Sequence, residues 1–181
     1  MNGSNSEFVP PQLRDFNEPL AEGAHPFGYS GAADDIDAWF CRLKCSCGAT
    51  NAFNIKTGDS SLDGWISGEF GGDQRTDIRC AKCGQTIPFF DDGLHGYNAV
   101  ICDDRRSLPA GYRERNASLL KDFICRCGHS TFSVFVLVRY DCGDLEGVPQ
   151  SHYGDSYGSF YAVASCSRCR KTESIVDAET A

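Results

Sequence analysis

The chain has 181 residues, 41% of them hydrophobic and 23% charged, with a net charge of −8 at pH 7. Those fractions belong to a folded chain, and the length suits one large domain or two small ones. No apolar run approaches the roughly 20 residues of a membrane helix, the N-terminus lacks the basic-then-apolar order of a secretory signal, and the acidic balance opposes general attraction to a phosphate backbone.

Residues 1–33 carry Pro10, Pro11, Pro19 and Pro26 among scattered glycines and aromatics. They read as an extended arm that either packs through Phe8, Phe16, Phe27 or Tyr29 or is partly disordered. From Asp34 to Lys44 the acids come first and Trp39, Phe40 and Leu43 follow, which predicts a short helix or a strand leading to Cys45. Strands are then expected at Phe53–Ile55, Trp65–Phe70, around Ile78 and at Ile87–Phe90, with turns at Gly71-Gly72-Asp73 and Asp92-Gly93. The stretch 103–121 holds Arg105, Arg106, Arg113, Arg115 and Lys121 and reads as a basic linker. Beyond it, Thr131–Tyr140 is the strongest strand signal, a run of β-branched and aromatic residues expected to be buried on both faces. Phe160–Ala164 and Ser174–Val176 complete a predicted three-stranded antiparallel sheet.

Eight of the eleven cysteines form four close pairs: Cys45/Cys47, Cys80/Cys83, Cys125/Cys127 and Cys166/Cys169. Their order, Cys-X-Cys-Gly followed by Cys-X-X-Cys, occurs twice. Two tight knuckles distant in sequence bring four thiolates to one point without long loops inside each pair, as tetrahedral zinc requires. Disulfides are the competing account. They fit poorly with an odd cysteine count, a chain without an export signal, and partners one residue apart. A redox Cys-X-X-Cys would open a helix, and neither Cys80-Ala-Lys-Cys83 nor Cys166-Ser-Arg-Cys169 does so.

The flanks repeat with the cysteines. Leu43-Lys44-Cys45-Ser46-Cys47-Gly48 aligns with Phe123-Ile124-Cys125-Arg126-Cys127-Gly128, and Ile78-Arg79-Cys80-Ala81-Lys82-Cys83-Gly84 with Ala164-Ser165-Cys166-Ser167-Arg168-Cys169-Arg170. Glycine after a knuckle lets the chain turn back so that amides point at sulfur. Arg170 stands where the other three knuckles have glycine, which makes the fourth the least regular. In these residues the chain resembles the zinc-ribbon, or zinc-β-ribbon, superfamily, with one ribbon per half. The resemblance covers the eight cysteines and their flanks, and the stretches between knuckles are longer than in minimal ribbons. It implies a mainly β chain with two structural Zn²⁺ ions, arranged as an arm (1–33), a first module (34–102), a linker (103–121) and a second module (122–181). It does not select a function, because ribbons serve in transcription factors, ribosomal proteins, enzyme subdomains and adaptors.

Four thiolates close the zinc shell and leave no position for a reacting water, so neither site is expected to be catalytic. His25, His95, His129 and His152 are scattered, and no phosphate loop or nucleophile motif accompanies them. His129, next to Cys127-Gly128, reads as a residue supporting the site or lying at the surface. Of the remaining cysteines, Cys102 reads as a buried hydrophobe, Cys142 as a turn residue, and Cys41 as a possible substitute for a knuckle sulfur. Two zinc–tetrathiolate units, each carrying −2, bring the net charge from −8 to −12. The cations beside the knuckles are accounted for as counter-charges to those clusters.

The expectation is therefore a non-enzymatic, zinc-stabilised cytoplasmic module that binds another protein, in the manner of an inhibitor or immunity protein facing a basic partner. Its candidate face is the loop Glu146–Phe160 with Tyr153, Asp155 and Tyr157. One alternative is a nucleic-acid or transcription-associated ribbon that uses Arg105 and Arg106, and another is an enzyme whose site the sequence does not assemble. Replacing Cys47 or Cys127 by serine is expected to collapse its own module, and changing Cys102 to do far less.

Overall fold

The computed structural model describes residues 8–20, 24, 26–27, 36–58, 75–91, 94–96, 120–141 and 145–179. The expected strand Trp65–Phe70, the two predicted turns, Cys102, Cys142, Arg105, Arg106 and nearly all of the expected linker lie outside them. The described chain is mainly β, as predicted. Its strands are β1 (Asn17–Pro19), β2 (Ile36–Leu43), β3 (Phe53–Gly58), β4 (Arg75–Cys80), β5 (Thr86–Asp91), β6 (Lys121–Asp122), β7 (Phe132–Asp141), β8 (Ser159–Cys166) and β9 (Thr172–Glu179). Every pairing among them is antiparallel. The segment for which the sequence left helix and strand open is β2, whose Trp39, Phe40 and Cys41 suit a pleated, half-buried surface.

The sequence predicts a sheet for each half, whereas the described strands form one nine-stranded sheet running β1-β2-β7-β3-β4-β5, with β6 pairing β3 and with β8 and β9 continuing from the other edge of β7. The cause is where the strand entering each knuckle finds its partner. β2, which delivers Cys45, pairs with β7 from Ile36↔Asp141 to Arg42↔Phe135. β6, which delivers Cys125, pairs with β3 at Lys56↔Asp122 and Thr57↔Lys121. The registers match. Arg42 lies three residues before Cys45 and meets the residue three after Phe132, and Asp122 lies three before Cys125 and meets the residue three after Phe53. Phe53 itself pairs with Phe132.

The meanders β3-β4-β5 and β7-β8-β9 fold towards one another. Phe89 and Phe90 of β5 pack on Phe160 of β8 at 5.4 and 5.0 Å between ring centroids. The Thr76 hydroxyl on β4 donates to the Ile175 carbonyl on β9 at 3.4 Å. A single apolar core results, which takes in Cys45, Cys80, Cys125 and Cys166 with the aromatics. Strand β7 departs from the prediction of burial on both faces. Phe132, Val134, Val136, Val138 and Tyr140 are buried, whereas on the other face Leu137 is buried but Ser133, Phe135 and Arg139 are only half-covered, because the meanders pack against one side of this central strand.

The arm is tied down over the described residues 8–20. Leu13 is fully buried, Phe8 and Phe16 lie against the core, and Tyr140 donates its hydroxyl to the Phe8 carbonyl. A turn of 3₁₀ helix at Pro11–Leu13 precedes β1, which hydrogen-bonds the edge of β2, and Lys44 N–H reaches the Phe16 carbonyl at 2.9 Å.

Candidate metal centres

The four knuckles are built on two backbone patterns, each used once in each half. In the Cys-X-Cys-Gly pattern the first cysteine's N–H donates four residues ahead, Cys45 to Ala49 at 2.8 Å and Cys125 to His129 at 2.9 Å. The glycine N–H returns to the cysteine carbonyl at 2.7 Å in both. Gly48 and Gly128 take φ of 82° and 80°, the left-handed conformation that glycine adopts without steric cost. In the Cys-X-X-Cys pattern Cys80 N–H donates to Gln85 at 2.8 Å and Cys166 N–H to Lys171 at 2.9 Å. The closing bond comes from Gly84 in the first half and from Arg170 in the second. Arg170 therefore makes the same turn at φ 63°, the one non-glycine positive φ among the described residues. A side chain there costs about 1–2 kcal/mol, and the knuckle forms nonetheless.

These turns bring the eight thiols into two groups, Cys45/Cys47/Cys80/Cys83 and Cys125/Cys127/Cys166/Cys169, in each of which all four sulfurs lie within 4.8 Å of one another. The closest approaches correspond between the groups. Cys45 to Cys83 is 3.4 Å and Cys125 to Cys169 is 3.5 Å, while Cys47 to Cys80 and Cys127 to Cys166 are both 3.7 Å. Metal–sulfur bonds of about 2.3 Å in a tetrahedron require sulfur–sulfur edges of about 3.8 Å. The donor set and its spacing thus fit a tetrahedral thiolate-binding cation. A disulfide needs sulfurs about 2.05 Å apart, so none of these pairs is bonded. Cys45, Cys80, Cys125 and Cys166 are buried, whereas Cys47, Cys83, Cys127 and Cys169 lie at the surface.

Four thiols in mutual contact share their protons unequally. Burial opposes the Cys45 thiolate, but the Cys47 N–H and hydrogen bonds from Cys83, Cys47 and Cys80 outweigh it and bring its pKa to about 7. The Gln85 N–H favours the Cys83 thiolate, yet donation to Cys45, burial and the other two thiols push Cys83 up to about 12. In the second group the Cys169 N–H, then the Arg168 N–H and the thiols of Cys127 and Cys125, overcome burial to hold Cys166 near 6. Cys125 goes up to about 12, because burial and donation to its neighbours outweigh the Cys127 N–H. In each group one sulfur has its thiolate form favoured over those of its neighbours, and complete ligation releases the protons still held.

Around this shared frame the side chains differ. In the first half Ser46 Oγ donates to Gln85 Oε1 at 2.7 Å, with Cys45 Sγ 3.5 Å from the same oxygen. In the second half His129 Nε2 lies 2.9 Å from Ser167 Oγ and 2.8 Å from Thr131 Oγ1, and Ser167 Oγ donates to the Thr131 carbonyl at 2.8 Å. The trio is not evident from the sequence, where its members are dispersed. The structure supplies the match: Ser167 N–H donates to the Thr131 carbonyl as Ala81 N–H does to that of Ala52, and His129 aligns with Ala49, so the first half has Ala49, Ala52 and Ala81 at the corresponding positions.

Other predicted site residues separate from one another. Cys41 is fully buried on β2, paired with Val136 and outside both sulfur groups, and burial pushes its thiol well up. That removes it as a substitute ligand. Tyr157, expected on a recognition loop, is 1% exposed, with its ring against Tyr140 and Phe160. Its position is corrected to the core, because the loop folds back on β8. Tyr153 and Asp155 stay half-exposed on a short 3₁₀ helix, Gln150–Asp155, with the Tyr153 ring 5.4 Å from Phe8. No helix among the described residues is long and apolar enough to cross a membrane. Comparison with protein-family models, with curated protein sequences and with solved structures finds no match to this chain.

Proposed function

We propose that this chain is a zinc-stabilised, non-enzymatic binding protein of the cytoplasm, built from two fused zinc-ribbon units that arose as an internal repeat. The observation that carries the reading is the convergence of four sulfurs at both centres. Zinc has no electronic preference that competes with a tetrahedral thiolate cage, and a cage with no open position supplies structure rather than reaction. Iron accepts the same donors, and elemental analysis separates the two metals. The partner is a protein with a basic surface, by analogy with inhibitor and immunity proteins. Charge supports this choice, since a chain at −8 becomes more acidic with each tetrathiolate site filled. Tyr153 and Asp155 are the half-exposed residues assigned to the contact face.

The test is to recover the zinc-loaded chain with its native partner and rebuild the complex from pure components. A one-to-one complex with a basic protein, weakened by salt and abolished by chelation, supports the reading. Measurable turnover by the chain alone refutes it.

A second reading, nucleic-acid binding, draws on one surface. Arg126, Arg168, Arg170 and Lys171 are exposed on the two knuckles of the second centre, as is Ile124 at 57%. Binding of an oligonucleotide with a steep decline on added salt, lost when these four cations are replaced by glutamine, favours it over the first.

A further inference from the structure

We infer that the two four-cysteine centres fill and empty together, as one cooperative metal unit. The inference rests on the reading that both groups bind metal, and its substance lies in how the sheet joins them. In a pair of independent ribbons, each knuckle would be held by strands of its own half. Here the strand that presents Cys45 and Cys47 pairs along one edge with β1 and along the other with β7 of the second half, and the strand that presents Cys125 and Cys127 pairs with β3 of the first.

Three further contacts join the sites. Cys80 pairs with Phe53, Phe53 with Phe132, and Phe132 with Cys166, so one lateral row of four strands has a ligand of each centre at its ends. At a strand spacing of about 4.8 Å this row spans roughly 14 Å. Phe123 N–H bonds the Ile55 carbonyl at 2.9 Å, and the Phe123 ring lies 5.1 Å from Phe132. Asn54 Nδ2 donates to the Ser130 carbonyl at 2.8 Å, which fixes the second knuckle's exit to β3. The buried ligands of both centres share one core.

Loss of metal at the first centre leaves four thiols crowded without a cation, and relief comes from separating the Cys45/Cys47 knuckle from Cys80. That movement pulls on the start of β3, the strand on which β6 and the second knuckle depend. The same chain of events runs in reverse from the second centre through β7 to β2. Each centre, when filled, thus preorganises the other, and the free energy of coupling appears as affinity.

Native mass spectrometry of the demetallated, reduced protein given one equivalent of cobalt(II) per chain tests this directly. Two equal, independent sites leave about half the chains with one ion, whereas ten-fold coupling lowers that species to about a quarter. We expect a quarter or less, with the remainder divided between empty and doubly filled chains. A one-ion species at half or more overturns the inference. The cobalt spectrum keeps the underlying reading separate, because absence of tetrahedral thiolate bands refutes metal binding itself rather than coupling. In Cys169→Ser, altered at an exposed ligand of the second centre, cobalt affinity at the first centre should fall at least about five-fold. An unchanged first-centre affinity also overturns the coupling.

Discussion

The two metal centres share a backbone and differ in nearly everything that surrounds it. Their knuckle hydrogen bonds agree within about 0.2 Å from one half to the other, and their closest sulfur distances agree as well. Yet the first centre has Ala49, Ala52 and Ala81 at the positions where the second has the bonded trio His129, Thr131 and Ser167. At their tips, Ser46 and Gln85 occupy the positions held by Arg126 and Lys171. Metal geometry constrains the cysteines and their turns, because four sulfurs must converge. It leaves the lining and the tip open to change. The second centre accordingly carries the features that distinguish one surface from the other, with the first serving as the plain version of the same frame.

Breaking the shared frame gives the largest effects. Cys47→Ser and Cys127→Ser each remove a sulfur from a group where a bound metal would contribute on the order of 10 kcal/mol to folding. Bound metal and thermal unfolding should show both variants losing the cooperative transition across the whole sheet. Loss confined to one half, as two separate ribbons would give, is the contrary result. Phe53→Ala and Phe132→Ala come next. The two rings are buried and occupy matched positions in one pairing, so each variant should lose about 3–5 kcal/mol in denaturant unfolding, and the two losses should be similar.

Changes to the lining and the tip sharpen the comparison with smaller effects. Replacing His129, Thr131 and Ser167 together by alanine gives the second centre the lining of the first. About 1 kcal/mol per lost hydrogen bond is expected in equilibrium unfolding, with faster metal exchange at that centre. The trio would have no supporting role if exchange were unchanged. Arg170→Gly should raise stability by up to about 1 kcal/mol by relieving a side chain at positive φ, and Gly84→Arg should lower it by about 1–2 kcal/mol. Smallest is Glu18. Its hydrogen bond from Arg42 outweighs burial and, with the Arg42 and Lys44 charges, holds its carboxyl below the ordinary value. That contribution is present above the unfolded carboxylate's range and is lost as pH falls through the lowered pKa. The stability difference between the parent and Glu18→Gln should therefore shrink on acidification below about pH 4.

How much of this is legible in sequence depends on the range of the interaction. The cysteine pairs, their turns and the strands Phe132–Asp141, Ser159–Cys166 and Thr172–Glu179 follow from local spacing and side-chain type, and the sequence shows them. Pairing of β2 with β7 does not, since neither strand carries a mark of its partner and the nearest-neighbour assumption keeps each half to itself. Tyr157 illustrates the same limit. A Gly-, Ser- and Tyr-rich stretch suggests a recognition loop, but the neighbouring Phe160 and Tyr140 decide that the ring turns inward. Alignment of the two halves sets His129 opposite Ala49 and Ser167 opposite Ala81, but Thr131 opposite Asn51, so the trio does not emerge from it. Its chemistry stays hidden there because its three members come from separate segments.

The most direct test of the account is the metal content of protein purified without added metal, measured together with the number of thiols that react under native conditions. The account predicts two zinc ions per chain, one for each group of four sulfurs, with the eight ligand thiols protected until a chelator is added. A folded chain that carries no metal and exposes Cys47, Cys83, Cys127 and Cys169 to reagent would contradict it.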